Sequence, residues 1–352
     1  MLDDNFVDIV GYQLEKVHTG VISWLLDSKN TKVPFEDKIK ILKKLYEIIP
    51  PLPLNNIKIK PTQEYSFGRS KRIDLVVELE LDKNKHFIVI ECKTDSDVDI
   101  TQLRNSKTSF EEKHGNNKSS FYVFLLGASQ FTYQHKESII KKELGYKIID
   151  LSNILEIFSD LSIKGKNKIY DDWYNALQKE NERSMNIDQE LKNMNNPWDE
   201  QLKGLGYRIG LPVFYLYYAK LRDNIEKKSP YKKWGIYSGT NNAVMNWQDG
   251  WIDIDGNELL WEFNNELLVL KAHIKRKNDN LKNKVRTIRT ICDKYKEELG
   301  GERTKNRKGE YKYISLYKWE FNFCKDTIEI NTKKVISILE RIHDELKKVS
   351  YA

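Results

Sequence analysis

The chain has 352 residues, 32% of them charged, with 59 Lys and Arg against 52 Asp and Glu for a formal net charge of +7. This is the profile of a globular protein of two domains without a long disordered region, and the mild positive excess permits a polyanionic partner without requiring one. The three cysteines are far apart and form no CxxC pair, so neither a disulfide framework nor a zinc site is indicated.

The first part of the chain alternates helical and strand patterns. In chain order, these patterns predict helices over 9–26 and 35–48, an extended segment over 57–65, strands over 73–81 and 87–93 with a turn at 82–84, a helix over 99–110, a strand over 121–126, a helix near 137–144 and a strand near 147–151. The two strands around the turn form a hairpin. The apolar run FYVFLL indicates a strand that is buried on both faces.

The second part of the chain is harder to interpret. Its patterns predict an aromatic-rich helix over 206–225, short strands over 234–274, a basic helix over 280–299, a strand over 311–323 and a closing helix over 332–349. Its Trp residues and Tyr237 are either core or platforms for bases, and its basic run over 275–289 is either a solvated face or a contact for phosphates. We expect a first domain over 1–163, a helical linker over 164–196 and a C-terminal α+β domain over 197–352.

Three charged residues of the predicted hairpin point to one chemistry. Glu91 and Lys93 share a strand face because side chains alternate, and Asp74 lies near the start of the partner strand, beside the end of its mate. Two close carboxylates repel unless a cation joins them, and oxygen ligands suit Mg²⁺, which recruits phosphate oxygens. A lysine beside such a site can act on the attacking water or offset negative charge. Together these groups indicate phosphodiester hydrolysis.

The Glu-x-Lys spacing carries little weight by itself. It also occurs at Glu36–Lys38, Glu111–Lys113 and Glu310–Lys312. The context of Glu91 is different, because it ends an apolar strand and an isolated Asp lies on the strand before. A surface hairpin with charged ends is the alternative interpretation of these residues.

The stretches FGRSKRIDLVVEL and HFIVIECKTD resemble the PD-(D/E)XK nuclease superfamily. Asp74 matches the first acid of that motif, although Ile73 stands where the Pro of the name would be, and Glu91 and Lys93 match its (D/E)-x-K. The run from Glu15 to Asp27, EKVHTGVISWLLD, is similar to the first helix of one bacterial branch, and Gln102 with Leu103 resembles the Gln-Leu of its later helix. The resemblance covers roughly residues 5–155.

The resemblance implies a fold and a set of roles. The fold is α/β, with a restriction-endonuclease-like core in which helices flank a mixed central sheet. Asp74, Glu91 and the Cys92 carbonyl would bind Mg²⁺ or Mn²⁺, and Lys93 would act on water and the scissile phosphate. Glu15 would add a carboxylate through water, and Gln102 would position the phosphate or the lysine.

Four further residues have assignments of their own. Arg69, Lys71 and Arg72 precede Asp74 and would contact phosphates, with a solvated turn as the alternative. We expect His18 to be structural, with hydrogen bonds to Thr19 or the backbone.

We therefore expect a metal-dependent DNA endonuclease, a hydrolase with a role in restriction or antiviral defence. DNA is favoured over RNA as the substrate, and a homodimer is left open. The alternative is a non-catalytic nucleic-acid-binding or sensor protein on the same fold. The first residues lack the pattern of a signal peptide, and no apolar run reaches the roughly 18 residues that span a bilayer. We expect a cytoplasmic protein with no membrane partner.

Overall fold

The computed structural model describes residues 5–45, 57–68, 72–81, 84–115, 117–131, 133, 136–193, 207–238, 243–254, 256–275, 281–305, 312–323 and 325–350. The chain forms two compact units, Met1–Asn186 and Ile187–Ala352. Within the described residues, no helix combines the length and the hydropathy needed to cross a membrane.

The first unit contains helices and strands in a regular order. They are α1 (Phe6–Val10), α2 (Glu15–Leu26), α3 (Phe35–Leu45), β1 (Lys58–Ser66), β2 (Arg72–Leu81), β3 (Asn84–Lys93), α4 (Ile100–His114), β4 (Lys118–Leu125), β5 (Tyr146–Ile149), α5 (Leu151–Phe158) and α6 (Lys168–Asn193). A 3₁₀ turn lies at Ala128–Phe131, and the predicted helix near 137–144 is a single π turn at Ile139–Glu143.

The strands form one mixed sheet in the order β1-β2-β3-β4-β5. The first three strands are antiparallel, and β3, β4 and β5 are parallel. Helix α4 supplies the crossover that a parallel neighbour of β3 requires. The predicted α/β class is confirmed, and residues 121–126 are buried as their apolar run predicts.

Both faces of this sheet are buried. Leu75 and Ile90 belong to the larger core, which α2, α3, α5 and α6 complete, whereas Val76 and Val89 belong to a second core with Phe110 of α4. The alternation of strand side chains sends successive residues to opposite cores. Glu91 follows Ile90, and it therefore points to the α4 side of the sheet.

The predicted first helix is divided in two. Gly11 ends α1 with φ of 115°, a conformation that favours glycine, and α2 begins only at Glu15. Ile9, Val10 and Leu14 are exposed, although their helical spacing predicted a core face. The break places Glu15 in the first turn of its own helix.

The segment over 164–196, expected to be a linker, contributes to the core of the first unit. Helix α6 begins at Lys168, and Tyr170, Trp173, Tyr174 and Leu177 are buried in the larger core. The division between the two units falls within this helix, at Asn186. Several of its buried residues are aromatic and lie among many charged residues, so the apolar face of this helix is difficult to recognise in the sequence.

The second unit is an antiparallel sheet with helices. Its elements are α7 (Tyr207–Lys228), β6 (Trp234–Ser238), β7 (Ala243–Trp247), β8 (Ile252–Ile254), β9 (Asn257–Asn264), β10 (Leu267–His273), α8 (Leu281–Lys294), α9 (Lys296–Leu299), β11 (Glu302–Arg303), β12 (Tyr313–Glu320), α10 (Ile328–Ile338) and α11 (Asp344–Ser350). The strand order is β11-β12-β10-β9-β7-β6, and β8 pairs with β9.

The aromatic residues of this unit divide between core and surface. Trp234, Trp247 and Trp261 are buried, and the first two stack with their ring centroids 5.9 Å apart. Tyr237 and Trp251 are exposed. The core interpretation therefore applies to the three buried tryptophans, and the interpretation as platforms for bases stays a prediction for Tyr237 and Trp251.

Candidate active site

The two acids of the hairpin meet where β2 begins and β3 ends. Leu75 pairs with Ile90, and extension of this register by one position places Asp74 opposite Glu91. The main-chain N–H of Cys92 donates a hydrogen bond of 2.8 Å to Asp74 Oδ2. The predicted convergence of these two carboxyl groups is present in the structure.

Helix α4 holds both oxygens of the Glu91 carboxyl group. Ser106 Oγ donates to Oε1 at 3.2 Å, and Gln102 Nε2 donates to Oε2 at 3.3 Å. Asp99 caps the helix, accepting hydrogen bonds from the main-chain N–H groups of Thr101 and Gln102. Gln102 thus contacts Glu91, which differs from its expected contact with phosphate or Lys93.

Glu91 is completely buried. Burial raises its pKa well above the ordinary value, and repulsion by Asp74 and a carboxyl–carboxyl hydrogen bond with Asp74 add to this, against the attraction of Lys93. Two carboxyl groups in contact inside a protein retain a proton unless a cation neutralises them. The pair therefore favours a bound proton or a bound cation.

Lys93 brings a positive charge to the same place. Burial alone would lower the pKa of its ammonium group, but Glu15, Glu91 and Asp74 together raise it. The side chain is 6% exposed, and in the described part of the chain its Nζ forms no ion pair closer than 4.0 Å. It is a protonated lysine that lies among three acids without a dedicated partner.

The main chain at Lys93 is fixed by the segment that follows β4. The Lys93 carbonyl accepts from Leu126 N–H at 2.9 Å and from Ser129 Oγ at 2.7 Å. Gly127 makes this approach sterically feasible, since a Cβ there would lie 2.8 Å from the Thr94 carbonyl oxygen. These contacts fix the main chain at the end of β3 and so restrict where the Lys93 side chain begins.

Glu15 enters the site from the start of α2. Its Oε1 accepts a hydrogen bond of 3.1 Å from Ser96 Oγ. Burial raises the pKa of Glu15, with a contribution from Asp74, whereas Lys93 and the bond from Ser96 lower it. Residues far apart in sequence thus contribute to one electrostatic cluster, which we call the acidic cluster: Glu15, Asp74, Glu91 and Lys93.

Cys92 divides its groups between the two sides of β3. Its thiol is buried in the larger core, and burial raises the thiol pKa well above its usual range, so it is not a reactive cysteine. Its N–H points to Asp74, and in a strand the N–H and C=O of one residue face the same neighbour. The Cys92 carbonyl therefore lies on the Asp74 side of β3. A main-chain ligand to a cation shared with Asp74 would have to lie on this side.

The donor set suits a small divalent cation. Among the described residues, no three His, Cys, Asp or Glu side chains form a ready-made metal site. Mg²⁺ does not require one, since it binds through one or two carboxylates and keeps several waters. Asp74, Glu91 and the Cys92 carbonyl offer this kind of oxygen set, and the repulsion between the two acids favours a cation.

Of the three residues predicted to contact phosphate, the structure describes Arg72. Arg72 is exposed and donates to Glu64 Oε2 at 2.8 Å, across the β1–β2 pair. Arg69 and Lys71 lie outside the described residues. The structure thus gives Arg72 a protein partner, and a contact with phosphate would have to compete with Glu64.

His18 is structural, as expected. Its Nδ1 accepts from Trp173 Nε1 at 3.1 Å, so its Nε2 carries the proton and donates to the Tyr12 carbonyl at 2.7 Å. The neutral ring joins the loop before α2 to α6. Thr19 Oγ1 donates to the Glu15 carbonyl instead of to His18.

Three serines that support the site were not found from the sequence. Ser106 could have been, because it lies four residues after Gln102 and so shares its helix face. Ser96 and Ser129 lie outside regular helices and strands, where spacing carries no information about contacts. Their roles depend on the loops after β3 and β4 meeting at one edge of the sheet.

Comparison of this chain with protein-family models, with curated proteins and with solved structures found no match. Its function has to be inferred from the geometry of its own residues.

Proposed function

We propose that the first unit is a metal-dependent nuclease that cuts DNA within the strand. The observation that carries this proposal is the acidic cluster, in which a protonated lysine lies among three carboxyl groups at the end of β3. A binding protein has no need of a buried charge arrangement that costs folding free energy. Hydrolysis of a phosphodiester uses each of its members.

The topology supports the same proposal. A helix precedes three antiparallel strands, and a second helix leads to a parallel fourth strand. This is the order that the resemblance to the PD-(D/E)XK superfamily predicts for a restriction-endonuclease-like core. The match of Asp74, Glu91 and Lys93 to the sequence motif of that superfamily adds to this support.

Asp74, Glu91 and the Cys92 carbonyl would hold Mg²⁺ or Mn²⁺. The bound cation would supply positive charge to the phosphate and lower the pKa of water. Ser106 and Gln102 restrict the orientation of the Glu91 carboxylate, and the Cys92 N–H restricts that of Asp74. The site is therefore preorganised before substrate arrives.

Lys93 acts in its protonated form. Its raised pKa keeps the ammonium group charged at neutral pH, so it can donate hydrogen bonds to a phosphate oxygen and offset the charge that builds up during attack. Glu15, held by Ser96, lies close enough to Lys93 to influence its pKa, and can accept a hydrogen bond from the attacking water. We assign the biological setting to restriction or antiviral defence by analogy with the superfamily branch.

A panel of substrates tests the proposal. Supercoiled plasmid, linear duplex, single-stranded DNA and tRNA are incubated with the protein in Mg²⁺, in Mn²⁺ and in EDTA, beside the Asp74→Asn variant. We expect cleavage of the plasmid in either metal and none in EDTA or with the variant. Failure to cut any substrate, or equal cutting in EDTA, would overturn the proposal.

A further inference from the structure

The antiparallel sheet of the second unit has one covered face and one open face. On the covered face, the rings of Phe263 and Tyr218 of α7 lie 5.9 Å apart, and Trp261 Nε1 donates to His343 Nδ1 at 3.3 Å. Strand side chains alternate, so Glu262 points to the other face. We call that other side the open face; the residues used to define it are Tyr237, Asn264, Lys271, His273, Tyr313 and Lys318.

Exposed aromatic rings are concentrated on this face. Tyr237, Trp251 and Tyr313 are 38%, 41% and 47% exposed. Tyr313 stacks on His273 with the ring centroids 4.5 Å apart and the planes 18° apart, and Trp251 meets the same imidazole edge-on at 6.4 Å. Tyr313, His273 and Trp251 thus form a row of rings across β10. Exposed aromatic rings of this kind can serve as stacking platforms for bases.

A groove of about 870 Å³ lies beside this row, between β10, β12 and the short strand β11. Four cations and one carboxylate contribute to its lining: Lys271, Arg303, Lys305, Lys318 and Glu302. The groove has the size of a ligand site and an excess of positive charge.

Several of the groove cations already have carboxylate partners. Lys271 pairs with Glu262, Arg303 pairs with Asp293, and Lys318 pairs with Glu302 at 2.7 Å. The Arg303 and Lys318 pairs are partly open to water, so each of these cations can exchange its carboxylate for a phosphate at small cost, whereas the Lys271–Glu262 pair is largely buried.

We propose that the open face binds single-stranded nucleic acid, with bases stacked on Tyr313 and Trp251 and phosphates on the cations of the groove. The inference rests on the proposed nuclease function, to which it adds a surface that selects unpaired segments of the substrate. Unpaired strands are favoured over duplex because a ring can stack only on a base face that is not covered by a neighbouring pair.

The test uses the full chain with Lys93→Ala, in EDTA, so that binding is measured without cleavage. Anisotropy of a fluorescein-labelled oligo(dT) reports affinity, against a duplex of the same length. We expect Tyr313→Ala and Trp251→Ala each to weaken oligo(dT) binding about tenfold, the effect of losing one base–aromatic stack. We expect Tyr313→Phe to retain affinity. Ile330→Ala, which removes an exposed apolar side chain on α10, is the matched control and should have no effect.

The contribution of charge is tested separately. Lys305→Ala should weaken binding and reduce the dependence of affinity on salt by about one phosphate contact. The matched control is Lys333→Ala, an exposed lysine on α10, which should leave both quantities unchanged.

Three results would overturn the inference. The first is that oligo(dT) does not bind, and the second is that duplex binds as tightly as oligo(dT) with an affinity that Tyr313→Ala does not change. The third is that a mononucleotide competes fully and that affinity does not increase with strand length. The last result would make the groove a small-nucleotide pocket. If Lys93→Ala binds oligo(dT) in EDTA but the wild type cleaves no member of the substrate panel in Mg²⁺ or Mn²⁺, the nuclease proposal is removed. Cleavage without oligo(dT) binding would remove only the role of the open face.

Discussion

The main-chain N–H of Cys92 donates a hydrogen bond of 2.8 Å to the Asp74 carboxylate. At the end of the β2–β3 pair, this bond replaces a main-chain hydrogen bond between the two strands. It also holds Asp74 beside Glu91. It uses Oδ2 as an acceptor, and a carboxylate keeps further lone pairs on both oxygens for a cation. One backbone donor thus orients the first acid of the acidic cluster without neutralising it.

Asp74→Asn is expected to abolish high-affinity binding of Mn²⁺ and Mg²⁺ while leaving the fold intact. The amide oxygen of Asn can still accept the bond from Cys92, but the negative charge is lost. Affinity should fall by more than the roughly 10–100-fold that loss of an outer-shell partner costs. Isothermal titration calorimetry measures the affinity, and Asp160→Asn, which changes an exposed acid, is the control. Unchanged affinity in Asp74→Asn would remove Asp74 from the metal site.

Glu91→Gln is expected to stabilise the metal-free protein while removing its activity. Burial and repulsion by Asp74 outweigh the attraction of Lys93, since the pKa of Glu91 is raised. A neutral amide of the same shape removes that cost, and the Ser106 hydroxyl can rotate to accept from it. We expect Tm in EDTA at pH 8 to rise by about 2 °C or more, the shift that roughly 1 kcal/mol produces in a domain of this size.

The sign of the pH dependence gives a second check on Glu91. A carboxyl group whose folded pKa lies above its ordinary value of 4.5 binds more protons when folded, so its contribution to stability falls as the pH rises above that value. The advantage of Glu91→Gln over the wild type should therefore grow from pH 5 to pH 8. If the difference in Tm between Glu91→Gln and the wild type decreases as the pH rises, or if the variant has the lower Tm, the charged Glu91 carboxylate does not destabilise the metal-free protein.

Ser106→Ala is expected to weaken the metal site without unfolding the helix. The variant loses one of the two bonds that orient the Glu91 carboxylate. Loss of an outer-shell partner that orients a metal ligand lowers metal affinity by roughly 10–100-fold, and we expect a loss of that order for Mn²⁺. Thr108→Ala, at an exposed position of α4, is the control for helix propensity. Equal affinities in the two variants would leave Ser106 with no role in the site.

Cleavage at limiting metal is expected to increase from about pH 6 to about pH 9. Glu91 and Glu15 have raised pKa values and must lose protons before they can hold a cation or accept from water. Lys93 has a raised pKa, so no decrease from its deprotonation is expected in this range. Initial rates across the pH series, with chemistry shown to be rate-limiting, provide the measurement. A flat profile would contradict the account.

Much of the first unit follows from the sequence because strand patterns carry their own geometry. Alternation on both strands of a hairpin fixes which residues share a face, and this was sufficient to bring Asp74, Glu91 and Lys93 together. Spacing predicted that Gln102 lies on a helix and the resemblance implied that it lies near the site, but neither indicated that it would donate to Glu91. That contact depends on how far α4 rotates over the sheet, which only packing decides.

Other parts of the site depend on contacts that sequence spacing does not encode. Ser96 and Ser129 act through loops that meet only after the sheet has formed, and Ser129 supports Lys93 through a carbonyl, which any residue possesses. The helical periodicity over residues 9–26 did not indicate a break at Gly11. The positive φ of Gly11 ends the first helix, and Glu15 begins the next. The tertiary role of α6 was missed because its buried aromatic residues lie among many charged ones.

The central claim is that Lys93 and the neighbouring acids catalyse metal-dependent cleavage of DNA. The most direct test is the single-turnover rate of nicking of supercoiled plasmid in saturating Mn²⁺ for the wild type, Lys93→Ala and Lys85→Ala, the last of which removes an exposed lysine from the same strand. We predict that Lys93→Ala slows nicking by about 100-fold or more, the cost of losing a charged donor to the transition state, and that Lys85→Ala cuts like the wild type. Equal rates in Lys93→Ala and the wild type would contradict the account.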